Sequence, residues 1–557
     1  MLSTLAWSRS GKLRSTWNFV TWQRSNLVVV LCLATVVVTS RAQTVSTLAT
    51  FNGTNGASPN SLVQSLDGKL WGTSDGSAKT KCGTVFKMAI SGTLSTAFAF
   101  ECDTSKEPDG FEPQELLQAS DGNFYGVTFF GGTGGGGTVF KLTPGGSLNF
   151  LYNFGGTNLP APVGLTQGTD GDFYGATYGG GLAESYGTIF KISAQGALKT
   201  LYEFDFTHGA QPYAGLIEGT DGNFYGTTYS GGTYGVGTVY KITPEGTLTV
   251  LHSFGEHTYD PDFPVTLLVQ GSDGNFYGTT PYGGGPDNDG AIFKITPSGV
   301  FTIIHSFTGS DGYFPAGPLV QDTDGNFYGT AAGGANDKGI IFKIMPDGVF
   351  TTLYSFDGAD GGAGPYGLMQ DTNGIFYGLT GGGALNDGTI FSLSTGLKPF
   401  VSFLPPLSEG EVGNIIPILG QGFTSATAVS FNGTPATVEI KSSNYLTAAV
   451  PDGASTGFVT VSTSSSTLKS NKVFRVVPRI TSFSPMSGSA GTVVTISGVS
   501  LTQTSRVTFG GVGATSFTVN SDSEVMAEVP SGAKSGHINI TTHGGFAISS
   551  GTFTVTP

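Results

Sequence analysis

Seven times between Asp67 and Gly378 the chain repeats one unit of roughly fifty residues, and a repeat of that period is built of identical stacked pieces. Each unit carries an Asp-Gly-Asn-Phe-Tyr-Gly core, which begins at Asp67, Asp121, Asp170, Asp221, Asp273, Asp324 and Asn373. A Gly-Thr-Val-Phe-Lys core follows, which begins at Gly83, Gly137, Gly187, Gly237, Gly290, Gly339 and Gly388. The fourth unit reads as four strands: Ala214 to Ile217, Asn223 to Thr228, Thr238 to Ile242 and Thr247 to Phe254. Asp221-Gly222 supplies the positive backbone angles of a tight hairpin, and Thr243-Pro244-Glu245-Gly246 reads as a second turn. Four antiparallel strands in fifty residues make one propeller blade. The expected fold is all-β, a seven-bladed β-propeller over residues 43–397. The seventh unit lacks a fourth strand of its own, and the stretch from Val45 to Phe51 matches the missing piece. That strand would close the ring and leave no open sheet edge.

Residues 1–42 hold five basic residues, no acidic one and an apolar run from Leu27 to Val38, and Ser40-Arg41-Ala42 offers the small residues of a cleavage site. They read as a signal peptide, with an uncleaved anchor or a start codon placed too early as the competing reading. Export places the protein outside the cell or in its envelope, with no transmembrane segment after cleavage. Removing five positive charges takes the net charge from −14 to −19, which opposes nucleic acid and anionic surfaces. Cys82 and Cys102 sit at the two ends of a hairpin that turns near Ser91-Gly92. A cross-strand disulfide is the preferred reading, and a pair of free buried thiols is the alternative.

The wording of the units, as in Asp221 to Thr228, Gly237 to Pro244 and Gly246 to Phe254, resembles the GloVer tandem repeat of exported bacterial proteins. That resemblance implies the fold and the location but no established activity. From Lys398 the period changes to about eighty residues. Phe403 to Gly433 aligns with Phe483 to Gly511, and Ala449-Val450-Pro451 with Glu528-Val529-Pro530. These two copies, residues 398–477 and 478–557, resemble the IPT/TIG immunoglobulin-like module, a β-sandwich. Such modules commonly serve exported bacterial proteins as spacers or adhesive units.

Among six histidines, His252 and His305 occupy a position held elsewhere by Phe98, Tyr152, Tyr202 and Tyr354, so packing explains them, and no pair has zinc-ligand spacing. The repeated Asp-Gly-Asn, most of all Asp322 to Asn326, suggests calcium, yet hairpin geometry already requires those residues. No cofactor is expected, and calcium is supported by no full motif. The long connections all fall on one face of the expected disc, which makes that face the place for a ligand. It carries Tyr178, Tyr186, Tyr229, Tyr234, Tyr282, Tyr213, Phe263, Tyr313 and Tyr366, with Asp260 and Asp287 among its carboxylates. Aromatic faces beside carboxylates suit sugars. The expected function is a recognition or adhesion protein for a polysaccharide or surface protein, without catalysis. Two alternatives are a carbohydrate-active lyase or hydrolase using carboxylates of that face, and a purely structural surface protein.

Overall fold

The computed structural model describes residues 43–557 except 77–81, 102–109, 156–159, 182–184, 359–363, 383–385, 405–407 and 425–427. The expected signal peptide, residues 1–42, and Cys102 lie outside the described residues; Cys82 is disulfide-bonded.

The repeat region forms seven antiparallel sheets of four strands, one with a short fifth strand. Unit four comprises Ile217–Glu218, Phe224–Thr228, Thr238–Ile242 and Leu248–Ser253. Its second strand is buried on both faces because a neighbouring sheet covers each: Phe224 is stacked at 3.8 Å on Tyr174 of unit three, and Tyr225 at 3.9 Å on Phe276 of unit five. Such pairs contribute about 1 kcal/mol each beyond the area they bury. The first strand is shorter than the apolar stretch beginning at Ala214 suggests, because only Ile217 and Glu218 pair with the second strand.

The turn residues are spent on the fold. Asp121 Oδ1 accepts the Asn123 amide at 3.0 Å, while its Oδ2 accepts the Tyr125 hydroxyl at 2.9 Å and the Lys141 ammonium at 2.8 Å. Burial alone would raise this carboxyl, but Lys141, Asn123 and Tyr125 together hold it at about 2. In unit seven the pair is lost on both sides, with Asn373 for the aspartate and Ser392 for the lysine, and Asn373 Nδ2 donates to the Tyr377 hydroxyl at 3.0 Å. At the suggested calcium position, Asp324 is bound in the same way by Asn326, Tyr328 and Lys343, and Asp322 Oδ1 accepts from Thr323.

A second device joins consecutive units. At or before the start of the first strand, each unit has a residue of left-handed backbone followed by proline: Ser58, Glu112, Ala161, Gln211, Phe263, Phe314 and Gly364, with φ between 48° and 62°. Residues before proline normally avoid this region. Each of the seven donates its N–H to a carbonyl of the preceding unit, from Glu112 to Cys82 at 3.0 Å through to Ser58 of unit one and Asp387 of unit seven at 2.8 Å. The following proline lies on the glycine that opens the preceding third strand, so that a Cβ on Gly388 would stand 2.4 Å from Pro59 Cδ. Unit seven therefore meets unit one by the contact that joins every other pair. Thr44–Thr50 completes its sheet by pairing with Thr389–Ser394, and Phe51 donates to Gly388 just as Phe254 donates to Gly237.

Residues 399–557 form two sandwiches, each a four-stranded sheet facing a five-stranded one. Their separate cores are built around Ile418, Phe431, Val461 and Phe474, and around Ile496, Phe509, Ile538 and Phe553. Gln503 exchanges two bonds with the Thr456 backbone and so holds the second sandwich to the first.

Gly388→Val should lower stability by more than roughly 3 kcal/mol, since it needs positive φ and strikes Pro59. Gly222→Ala, at φ 76° with open space around it, should cost only about 1 kcal/mol. Urea unfolding of the two variants checks the ordering.

Candidate functional site

The left-handed residues stand at the edge of the sheets where each second strand ends, and that edge bears a run of aromatic rings. Phe111 lies 5.3 Å from Phe130, Phe130 4.7 Å from Phe129, and Phe129 6.3 Å from Tyr178. The run continues through Tyr213 at 5.8 Å, Tyr229 at 6.0 Å, Phe263 at 4.9 Å, Tyr282 at 6.2 Å and Phe314 at 5.4 Å. Local sequence explains it. Phe129, Tyr178 and Tyr229 are the third residue after the second-strand glycine, while Phe263 and Phe314 are left-handed residues held out by the prolines that follow. Tyr213, Tyr282 and Phe314 are exposed, and the other rings are half-buried.

Five of the sequence-predicted residues thus come together: Tyr178, Tyr213, Tyr229, Phe263 and Tyr282. The others are engaged elsewhere. Tyr186 packs on Phe206 at 5.3 Å, Tyr313 donates to Asp337 at 3.1 Å, and the Tyr366 hydroxyl donates to the Pro59 carbonyl between units seven and one. Tyr234 is exposed beside Gly255, Asp260 accepts the His257 amide at 2.7 Å, and Asp287 lies next to Asp289, whose carboxyl it helps to raise after desolvation. His252 and His305 stack flat on Phe301 and Phe350.

The first strands of adjacent units converge: a Cβ on Gly164 would lie 3.1 Å from Gly215 Cα. At this repeat position, six residues before the turn, the units carry Ser61, Glu115, Gly164, Gly215, Leu267, Pro318 and Gly367. Glu115 is the one ionisable residue of the set. Its Oε2 fills the space left by two glycines, 2.9 Å from the Gly164 Cβ position and 3.6 Å from that of Gly215. Protein surrounds the carboxyl although water can still touch the residue, and desolvation pushes it up to about 7.

Three more carboxylates stand at the rim. Asp75 takes the place that Phe129, Tyr178 and Tyr229 hold in their units. It is pushed up to about 6 by burial, with the Glu112 charge adding and an Asn60 bond of 2.7 Å opposing. Glu112 is itself the left-handed residue of unit two. Asp262, beside Phe263, is raised to about 6 by burial, and its Oδ1 has no partner among the described residues. Sequence inspection places Asp262 and the stretch ending at Glu112 on this face but misses Asp75 and Glu115. The signal was a break in the repeat, an acidic residue where the other units carry small or aromatic ones.

A cavity of about 700 Å³ lies on the opposite edge between units three and four, lined by Asp170, Asp172, Lys191 and Glu218. Lys191 already lies 2.7 Å from Asp170 and 3.0 Å from Asp172, and Glu218, raised by burial, accepts the Thr169 amide at 2.9 Å and hydroxyl at 2.7 Å. The raised acids of the aromatic edge are the better candidates for chemistry.

Because Glu115 titrates near 7 when folded and near 4.5 when free, its ionisation lowers stability progressively as pH rises from about 4.5 to 7. Glu115→Gln should therefore melt higher than the parent at pH 8, by up to roughly 3 kcal/mol, and equally at pH 4. Calorimetry at both pH values checks this.

No curated protein matches the chain. A virginiamycin B lyase from Staphylococcus aureus is 17% identical over 63% of this chain and 99% of its own, with a TM-score of 0.45. A fungal alcohol oxidase of the AA5 family is 13% identical over 76% and 99%, with a TM-score of 0.42. A gluconolactonase from Xanthomonas campestris is 11% identical over 63% and 89%, with a TM-score of 0.32. Where the sequence suggests a recognition protein without catalysis, these three similar structures are those of enzymes. The IPT/TIG domain matches residues 399–476 and 478–556. The Gloeobacter/Verrucomicrobia repeat matches residues 112–332 and 263–410, which together span more than half of the sequence, and the chain belongs to that repeat family.

Proposed function

We propose that the chain is an exported carbohydrate-active enzyme that hydrolyses a neutral polysaccharide at the aromatic edge of a closed seven-bladed propeller. Residues 1–42 are the signal peptide, residues 43–397 the propeller, and residues 398–477 and 478–557 the two immunoglobulin-like modules. The closing contacts between units seven and one support the ring, in which the first strands line a central space that holds Glu115.

One observation carries the reading. A single carboxyl, raised to about 7 without a charged neighbour, breaks an otherwise non-ionisable repeat position below an aromatic arc. A carboxyl protonated at neutral pH can act as a general acid. Glu115 donates its proton to the glycosidic oxygen as the bond to the anomeric carbon breaks. A rim carboxylate, Asp75 or Glu112, takes a proton from the water whose oxygen joins that carbon. Tyr178, Tyr213, Tyr229, Phe263 and Tyr282 hold sugar rings by stacking. Polyanions fit poorly, because residues 44–396 contain no arginine and the rim adds carboxylates. That favours hydrolysis of neutral glycans over elimination from uronates, whose carboxylate needs a counter-charge.

Residues 43–557 are to be incubated with a panel of neutral polysaccharides and the products read by mass spectrometry. Cleavage should fall above about pH 7 as Glu115 ionises, and Glu115→Gln should reduce kcat by on the order of 10²-fold or more. Tyr229→Ala with Tyr282→Ala should raise KM several-fold and leave kcat nearly unchanged, about 1 kcal/mol per lost stacking contact. Intact substrates throughout, or full activity in Glu115→Gln, would remove Glu115 from the proposal.

A further inference from the structure

The first immunoglobulin-like module touches three units of the repeat region, all at the short-turn edge opposite the aromatic arc. Phe400 donates to the Thr372 carbonyl of unit seven at 3.0 Å, and Gln421 Nε2 donates to Thr372 Oγ1 at 3.0 Å. A Cβ on Gly68 of unit one would lie 2.0 Å from Asn444 Nδ2. The Arg475 guanidinium, paired with Glu409, donates to the Thr220 carbonyl of unit four.

Contacts at unit seven follow from the tether, since the chain enters the module directly after that unit. Those of Asn444 and Arg475 do not, because both lie far along the sequence from the linker. In a ring of seven, unit four stands opposite the seam between seven and one. A sandwich with one continuous core that reaches both sides must lie across the centre.

We infer that this module seals the short-turn end of the central space, leaving the aromatic edge as its one mouth, so that a glycan reaches Glu115 only by a free chain end. The inference rests on the ring and site proposed above. A polymer can thread a channel with two openings but not one with a floor. The substrate class is therefore chain ends of a neutral glycan, and the products are short and uniform from the first turnover.

Hydrogen exchange on the full chain tests the seal without any substrate. The Thr220–Asn223 and Ser272–Asn275 turns carry equivalent bonds, with Thr220 N–H on Gln270 and Ser272 N–H on Gln321. The turn of unit four should exchange roughly tenfold more slowly than that of unit five. Glu409→Gln with Arg475→Ala, which removes both members of the ion pair, should abolish the difference; Arg475→Lys, which keeps a charge beside Glu409 but loses the guanidinium that reaches Thr220, is a second variant should the first misfold. Equal exchange of the two turns in the parent protein would overturn the seal. For chain-end entry, end-labelled neutral oligosaccharides should release only mono- or disaccharides from one end, and early internal cuts would overturn it. If no glycan is cut while the turn of unit four stays protected, the hydrolase reading and chain-end entry fail but the seal stands.

Discussion

The contact between a left-handed residue, its proline and the glycine of the preceding unit is the constraint on which the repeat region depends. It recurs at all seven junctions, including that between Asp387-Gly388 and Ser58-Pro59. Left-handed backbone ahead of proline carries strain, and the structure offsets it each time with a hydrogen bond and a close packing contact to the neighbour. No unit can form this junction alone. Stability therefore comes from stacking, and the tyrosine to phenylalanine pairs and glutamine to backbone bonds follow the same register around the molecule.

The same junction sets the candidate site. It holds the prolines inward and presents the residue before each at the rim, where Glu112, Phe263 and Phe314 stand. Convergence of the first strands brings Gly164 and Gly215 together, and the space they leave is what Glu115 enters. A regular scaffold tolerates the irregular Glu115 because all seven junctions keep the sheets in register. The cost of desolvating that carboxyl is borne by the rest of the fold, and its raised pKa is the record of that cost.

Much of this was legible in the chain. The seven-unit period, the four strands, the turn chemistry of Asp-Gly-Asn and the return of Val45 to Phe51 to the last sheet were all readable, because hairpins and periodicity are local. Five of the nine predicted aromatic residues met in one arc: Tyr178 and Tyr229 share one repeat position, and Tyr213, Phe263 and Tyr282 flank the same edge beside the prolines and second-strand ends. Tyr186, Tyr234 and Tyr313 did not join it, because loop residues take directions that no period encodes, and Tyr366, in a first strand, is held instead by the Pro59 carbonyl of unit one. Asp75 and Glu115 were overlooked for a related reason: burial, not composition, makes an acid unusual.

The sequence by itself determined the all-β repeat, its turns, the change of period at Lys398 and the acidic, arginine-free character of the repeat region, since each rests on neighbours along the chain. Only the tertiary structure decided that Glu115 is desolvated, which rings form a continuous surface and that Arg475 reaches Thr220. Those properties come from groups that are distant in sequence and close in space, and solvation and packing respond to space alone.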